Sequence, residues 1–416
     1  MDALWYYAIG FLIIWILAFA FKDKLKIDIS GPILMRRTKR LRNFIDSTAQ
    51  RSPRFWRGVM SLGIPVAFFF MILMVVVLLI SLQSLLSSPQ IGIILPGVDI
   101  PGSQIYVPFG VGIISLMTVM VVHEFGHGIL ARVEGVRIKS IGVLLLAVLP
   151  GAFVEPDEED IEKSKRISKL RIYAAGSVFN LGLALVSLIL FLLITVTMLG
   201  SIFIGIPGIA VPGTTIKTPN IGYNISGPIY PTFQEQGMQI SSVVPGSPAK
   251  GILKEGMVIQ SINGIPTTNT TDYVNLQPSI QKGETLTIQT DQGTETVTTG
   301  TNPNNATKGY IGVRSQPNLV VKPDVASKYG TILPWFFYDL SDLLYWIFLL
   351  NFAVGTFNLL PLKPLDGGLL LEELLRYRLS ENIVQKIITP LSYFLIIVIV
   401  VSIVYSLGRG LLLLHL

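Results

Sequence analysis

Six stretches of this chain, at residues 3–21, 58–86, 109–131, 171–199, 333–360 and 384–408, are apolar over lengths that cross a hydrocarbon core of about 30 Å. Water is absent from such a core. Every backbone N–H and C=O must therefore bond within its own segment, which makes these stretches helices. Half of the 416 residues are hydrophobic and 14% are charged, which excludes an ordinary soluble domain of this length. The fold class that follows is a polytopic α-helical membrane protein with about six transmembrane helices. A net charge of +6 would suit nucleic acid in a soluble chain. In a membrane protein it marks cytoplasmic loops instead, and no nucleic-acid partner is expected. The first stretch has no Lys or Arg ahead of it and no small-residue cleavage site behind it, so it reads as a signal anchor or first helix rather than a cleaved signal.

Charge orients the spans. Between the first two, Lys22, Lys24, Lys26, Arg36, Arg37, Lys39, Arg40, Arg42, Arg51, Arg54 and Arg57 outnumber Asp23, Asp28 and Asp46, which places this loop in the cytoplasm. Alternation then puts residues 132–170 and 363–386 inside and 200–332 outside. The glycosylation sequons at Asn224, Asn269 and Asn305 all fall in that external segment. The same segment is rich in Gly, Pro, Thr and Asn. Short alternating runs at 238–244, 257–262 and 285–288, broken by Pro245-Gly246 and Asn263-Gly264, read as strands and turns of a small inserted β-rich extracytoplasmic domain. Residues 141–154 are apolar but too short to span, and Pro150-Gly151 interrupts them, which suits a re-entrant or interfacial element.

The chain has no cysteine, so disulfides, thiol nucleophiles and thiolate-bound metals are excluded. The third span carries His123-Glu124-Phe125-Gly126-His127, the pattern H-E-x-x-H. Positions i and i+4 share a helix face, so both imidazoles can reach one metal ion, and Glu124 is placed to act on a metal-bound water. Such residues inside a span are costly unless they serve a function. A catalytic zinc usually takes three protein ligands plus water. His415, penultimate and predicted on the outer side, is a poor third. Asp366, after the helix-breaking Pro361 and Pro364 at the cytoplasmic end of the fifth span, lies at a depth similar to His127 and is the better candidate.

H-E-x-x-H in one span, followed by Asn358-x-x-Pro361-x-x-x-x-Asp366-Gly367 in a later one, resembles the site-2 protease family of intramembrane metalloproteases. The runs Leu149–Val154 and Arg171–Asn180 are similar to its eukaryotic-type and archaeal members. In the external segment, Val244-Pro245-Gly246-Ser247-Pro248-Ala249 and Gly256–Gly264 resemble a PDZ domain, about 222–318, with Gly309–Val313 near its end. The resemblance covers roughly 109–380. It implies one Zn2+ per chain, ligated by His123, His127 and Asp366, with Glu124 as general base. It implies a role for Asn358 in substrate binding or oxyanion stabilisation. It also sets Asn180 near the site, either in the chemistry or in a helix–helix hydrogen bond. The domains would be a two-span region with a basic loop at 1–107, catalytic membrane parts at 108–200 and 333–416, and the extracytoplasmic segment at 201–332 between them. Substrates would be membrane-anchored proteins with a transmembrane helix, held extended by pairing with the 141–154 element. The PDZ-like domain would bind a peptide or protein ligand, or screen substrates by size.

Three other readings compete. A prenyl-protein-type protease would take Glu372 or Glu373 as third ligand, but Leu370–Arg378 reads as an amphipathic cytoplasmic surface helix. A non-catalytic PDZ-bearing scaffold with a structural zinc site would have no need of Glu124. A metal transporter would need ionisable residues along a path, and here they cluster at one depth.

Overall fold

The structure, a computed structural model, describes residues 3–38, 40–84, 94–98, 105, 107–147, 149–197, 201–204, 223–226, 232–244, 246–302 and 305–415. The chain divides into two compact units, Met1–Leu190 with Asp342–His415, and Phe191–Ser341. The helices are α1 (Ala3–Leu25), α2 (Arg40–Arg51), α3 (Pro53–Ser84), α4 (Phe109–Val133), α5 (Glu158–Lys163), α6 (Arg166–Thr197), α7 (Thr270–Leu276), α8 (Pro323–Tyr329), α9 (Ile332–Phe357), α10 (Asp366–Leu375) and α11 (Glu381–His415).

Among the described residues, five helices are long and apolar enough to cross a membrane: α3, α4, α6, α9 and α11. Their outward faces remain apolar. Leu62, Phe69, Ile72, Leu185, Ile397 and Val404 are each more than half exposed, an arrangement suited to lipid rather than water. These helices fit a polytopic helical membrane protein. The first expected span is also a helix, α1, whose last turn carries Lys22 and Lys24. It is tied to its surroundings by Trp15 Nε1, which donates to the carbonyl of Ala147, and by Tyr7, whose hydroxyl donates to the carbonyl of Pro96.

The short apolar element at 141–154 forms a hairpin of β3 (Ile138–Leu146) and β4 (Leu149–Pro156). Two strands from the basic loop complete an antiparallel sheet in the order β1-β2-β3-β4, with β1 at Asp28–Ser30 and β2 at Ile33–Arg37. Gly142 permits this pairing, because a Cβ there would overlap the Arg36 carbonyl and the Phe153 ring. Next to the sheet, amphipathic α2 buries Ile45 and Ala49. Ile45 lies against Gly128 of α4, where a Cβ would come within 2.9 Å of it. Asp46 pairs with Arg132 at the end of α4.

The second unit holds an antiparallel sheet in the order Gly293–Thr298, Thr285–Thr290, Val258–Ile262, Phe233–Val243, Val313–Val321. Along Thr285–Thr290 every second residue is buried, the period-2 pattern of a strand with one face on a core. Met238, Ile240, Ile259, Ile262, Leu286, Ile288 and Val297 form that core, closed by Tyr273 of α7. Asn263 and Gly264 have φ of 51° and 76°, the left-handed pair that a tight hairpin requires. Of the expected Pro245-Gly246 turn, Pro245 lies outside the described residues.

Candidate metal centre

His123 and His127 lie one helical turn apart on α4. Their Nε2 atoms are 3.2 Å from each other. Asp366, at the start of α10, places Oδ1 3.3 Å from His127 Nε2 and Oδ2 3.6 Å from His123 Nε2. Zinc–nitrogen and zinc–oxygen distances near ~2.05 Å imply ~3.3 Å between ligand atoms of a tetrahedron. The three separations therefore have the scale of one tetrahedral zinc set, and two imidazoles with a carboxylate are a donor set zinc accepts. The residues fit the ion.

Local structure explains how Asp366 arrives there. Pro361 and Pro364 follow the end of α9, and the chain turns tightly before α10 begins. The Gly367 N–H donates to the carbonyl of Asn358 over 2.8 Å, and that of Gly368 to the carbonyl of Leu365 over 3.0 Å. A Cβ on Gly367 would overlap the Leu359 carbonyl, and one on Gly368 would lie 2.5 Å from the Leu362 carbonyl carbon. The turn has no room for any other residue at either position.

Each of these three side chains is oriented from behind. His127 Nδ1 donates to the carbonyl of Ile172 over 2.8 Å, which fixes the tautomer and leaves Nε2 free for a metal. Asn180, fully buried on α6, brings its amide to 3.3 Å from His123 Nδ1. As placed, Nδ2 faces that ring nitrogen and Oδ1 has no partner. Turned end for end, the amide offers Oδ1 to the His123 Nδ1–H. Ser177, also on α6, donates from Oγ to Asp366 Oδ2 over 2.8 Å. Gly176 lets α6 lie directly on both imidazoles, since a Cβ there would overlap them. Sequence reasoning did not single out Ser177. The available signal was its spacing, three residues before Asn180 and so on the same face of α6.

Glu124 does not join the ligand cluster. Its Oε2 accepts the N–H of Val154 over 2.8 Å. β4 is the edge of its sheet, and Val154 faces Ile141 across the hairpin while giving its N–H to Glu124. The alternation of a strand turns the N–H and C=O of Ala152 the same way, toward the side of β4 on which no further strand pairs. Asn358 is held to the ligand turn through its backbone, and its half-buried amide has no hydrogen-bond partner among the described residues. Glu372 and Glu373 are elsewhere. Both are buried on α10 rather than on a surface helix. Glu372 is paired with Lys363 and Arg376 and accepts from Gln385, while Glu373 lies 3.9 Å from Arg376. These ion pairs make their burial tolerable.

A helix-borne H-E-x-x-H completed by a distant carboxylate defines a metallopeptidase site. The chain belongs to peptidase family M50, the site-2 protease family, whose model matches residues 111–399. It is 27% identical over 361 residues to an uncharacterized protein of Methanocaldococcus jannaschii, covering 86% of this chain and 81% of that one. It is 23% identical over 344 residues to a Clostridium perfringens protein provisionally named a zinc metalloprotease, covering 67% and 91%. A 64-residue stretch is 34% identical to the membrane-bound transcription factor site-2 protease homolog of Arabidopsis thaliana, covering 15% of this chain and 12% of that one. The family and these names imply a protease that uses zinc.

Proposed function

We propose that this protein is a zinc-dependent intramembrane endopeptidase that cleaves transmembrane segments of membrane-anchored proteins. The observation that carries the reading is the spacing of His123 and His127 on the apolar helix α4 and Asp366 at the start of α10, which matches one tetrahedral ion. One zinc per chain would be held by those three side chains. When bound, it supplies a Lewis acid that polarises the scissile carbonyl and makes water a nucleophile near neutral pH.

The remaining work belongs to this chain's own residues. Glu124 accepts a proton from the attacking water at its carboxylate and later hands it to the leaving amide nitrogen. Asn358, with its amide free, donates to the carbonyl oxygen as negative charge develops there. Asn180 and Ser177 orient His123 and Asp366. A helical substrate hides its peptide bonds in its own ladder and must unwind locally. The outward N–H and C=O groups of Ala152 and Val154 offer an edge to which the unwound segment can add as a strand. Adding there exchanges the Val154–Glu124 bond for a bond to substrate and frees Glu124 for the water. Regulators released by cleavage, and signal-peptide remnants, are substrates of the right form.

The catalytic membrane parts are residues 108–200 and 333–416. The charge distribution supports an active site toward the cytoplasm, with 201–332 extracytoplasmic and α1 as a sixth span. Within that segment, the strands and turns of 233–321 support a PDZ-like domain that binds a peptide or filters substrates by size.

The test is cleavage of a transmembrane peptide by the purified protein in detergent, beside Glu124→Gln, with zinc assayed in both. The expected result is zinc near one per chain in both, and cleavage that falls by about a thousandfold or more in the variant. Cleavage by Glu124→Gln at the wild-type rate would refute the role of Glu124. Absence of zinc from unchelated protein would overturn the reading as a whole.

A further inference from the structure

A second site lies at one end of the helical unit, apart from the ligand cluster. It is an open cavity of about 850 Å³ where the start of α3, the end of α4 and the start of α6 converge with α5 and the start of β3. Consecutive spanning helices run in opposite directions, so these three ends share one face of the membrane. Five cations, Arg57, Arg137, Lys163, Lys165 and Arg171, line the cavity with two carboxylates, Glu134 and Asp160, an excess of three on the lining that Asp157, 3.4 Å from Arg137, and Glu159, 3.5 Å from Lys163, reduce to one.

The carboxylates are already engaged. Glu134 accepts from Arg57, Arg171 and Ser168 over 3.2, 3.1 and 2.6 Å. Asp160 is bound by Arg137 through both oxygens. Burial pushes the Glu134 carboxyl up, but the bonds from Ser168 and Arg171 and the charge of Arg57 outweigh it and hold it below the usual range. One ionised carboxylate thus serves two guanidinium groups, and Arg171 Nε is buried without a partner. At the rim, Lys165 is exposed and has no ion pair among the described residues, and Lys163 reaches only the exposed Glu159 at 3.5 Å. Of the acidic residues of α5, Asp160 lines the cavity itself and Glu159 meets Lys163 at its rim.

We propose that this cavity binds the phosphate of an anionic phospholipid headgroup. Arg and Lys are the side chains that take phosphate, and a basic pocket among helix ends at the membrane surface lies at headgroup depth. A free phosphate ion shares that chemistry but lacks acyl chains to hold it at the surface. The site goes beyond peptide cleavage and rests only on the membrane-spanning reading.

The test uses full-length Glu124→Gln protein, so that lipid retention is read apart from activity. It is reconstituted in nanodiscs of equal phosphatidylglycerol and phosphatidylcholine, and retained lipid is counted by native mass spectrometry. Phosphatidylglycerol should be retained preferentially. Adding Lys163→Gln with Lys165→Gln should weaken retention by about tenfold or more, since each surface lysine contributes roughly fivefold. Both lysines are exposed, so folding should survive, and a melting curve checks it. Lys250→Gln with Lys254→Gln, an equal charge change in the β-rich unit, should have no effect. Equal retention by the Lys163/Lys165 variant would overturn the site. Millimolar inorganic phosphate that erased the lipid preference and stabilised the protein equally in pure phosphatidylcholine would assign it to a free anion and overturn the lipid.

Discussion

At Gly176 a Cβ atom would overlap both imidazoles of the ligand cluster, so even one methyl group pushes His123 and His127 away from α6. Gly182, on the same helix, has open space around its Cβ position. Gly176→Ala should therefore lose zinc by about tenfold or more, while Gly182→Ala retains it, as read by metal content after gel filtration. Asn180→Ala and Ser177→Ala remove the groups behind His123 and Asp366. Each should weaken zinc binding by about 10- to 100-fold, measured by competition with a chelator. An Asn180→Ala protein with unchanged zinc affinity and reduced kcat would instead put that amide in the reaction. Asn358 should behave in the opposite way: Asn358→Ala is expected to keep zinc and lose about 100-fold or more in kcat.

At the scale of elements, the edge of β4 separates binding from chemistry. Ala152→Pro removes an outward N–H without breaking the ladder to β3. It should lower kcat/KM by about tenfold with zinc unchanged, whereas Ala152→Val should cleave normally. Wild-type cleavage by Ala152→Pro would sink strand addition. The neighbouring α5 gives a pH test. The hydrogen bonds from Arg137 hold the Asp160 carboxyl at about 2, against an ordinary 3.8. A carboxyl with a lower value folded than unfolded stabilises the folded state above about pH 4 and loses that contribution as the pH falls toward 2. Amide exchange around α5 should be flat from pH 7 to about pH 5, after correction for intrinsic rates, and accelerate below about pH 4. The clustering of His123, His127 and Asp366 was legible because H-E-x-x-H is local and Asp366 sits in a turn spelled by Pro361, Pro364, Gly367 and Gly368. The hairpin of β1 and β2 was not, because its apolar residues pair with Ile138–Leu146, a hundred positions away, and the charges around it read as a plain loop. The burial of Glu372 and Glu373 was hidden similarly, since Lys363 and Gln385 flank α10 and only the fold brings them in. Asn269 shows the converse. Its sequon reads as a glycosylation signal, yet its side chain caps α7 by accepting the Asp272 N–H over 2.9 Å, and Nδ2, the atom a glycan would take, already donates to Asp272 Oδ2 over 2.8 Å.

For the whole molecule, the useful fact is that the β-rich unit closes on itself. Its buried core draws on residues from Met238 to Ile311, with Val313 packed against it, and Phe233 meets Trp335 and Tyr338 just beyond. At its base the Lys322 N–H donates to the Thr232 carbonyl over 3.0 Å, so the chain enters and leaves at one place. A short Gly-Ser linker can therefore replace 233–321 without stretching either flank. If this unit selects substrates rather than cutting them, the shortened protein should bind zinc normally and cleave a bare transmembrane peptide within about threefold of the wild-type rate. It should also lose the difference in rate between that peptide and one carrying a folded domain on its outer end. Retained zinc with abolished cleavage of the bare peptide would instead make the unit part of the catalytic machinery. The comparison separates filter from participant because metal content reports the ligand cluster independently of either role.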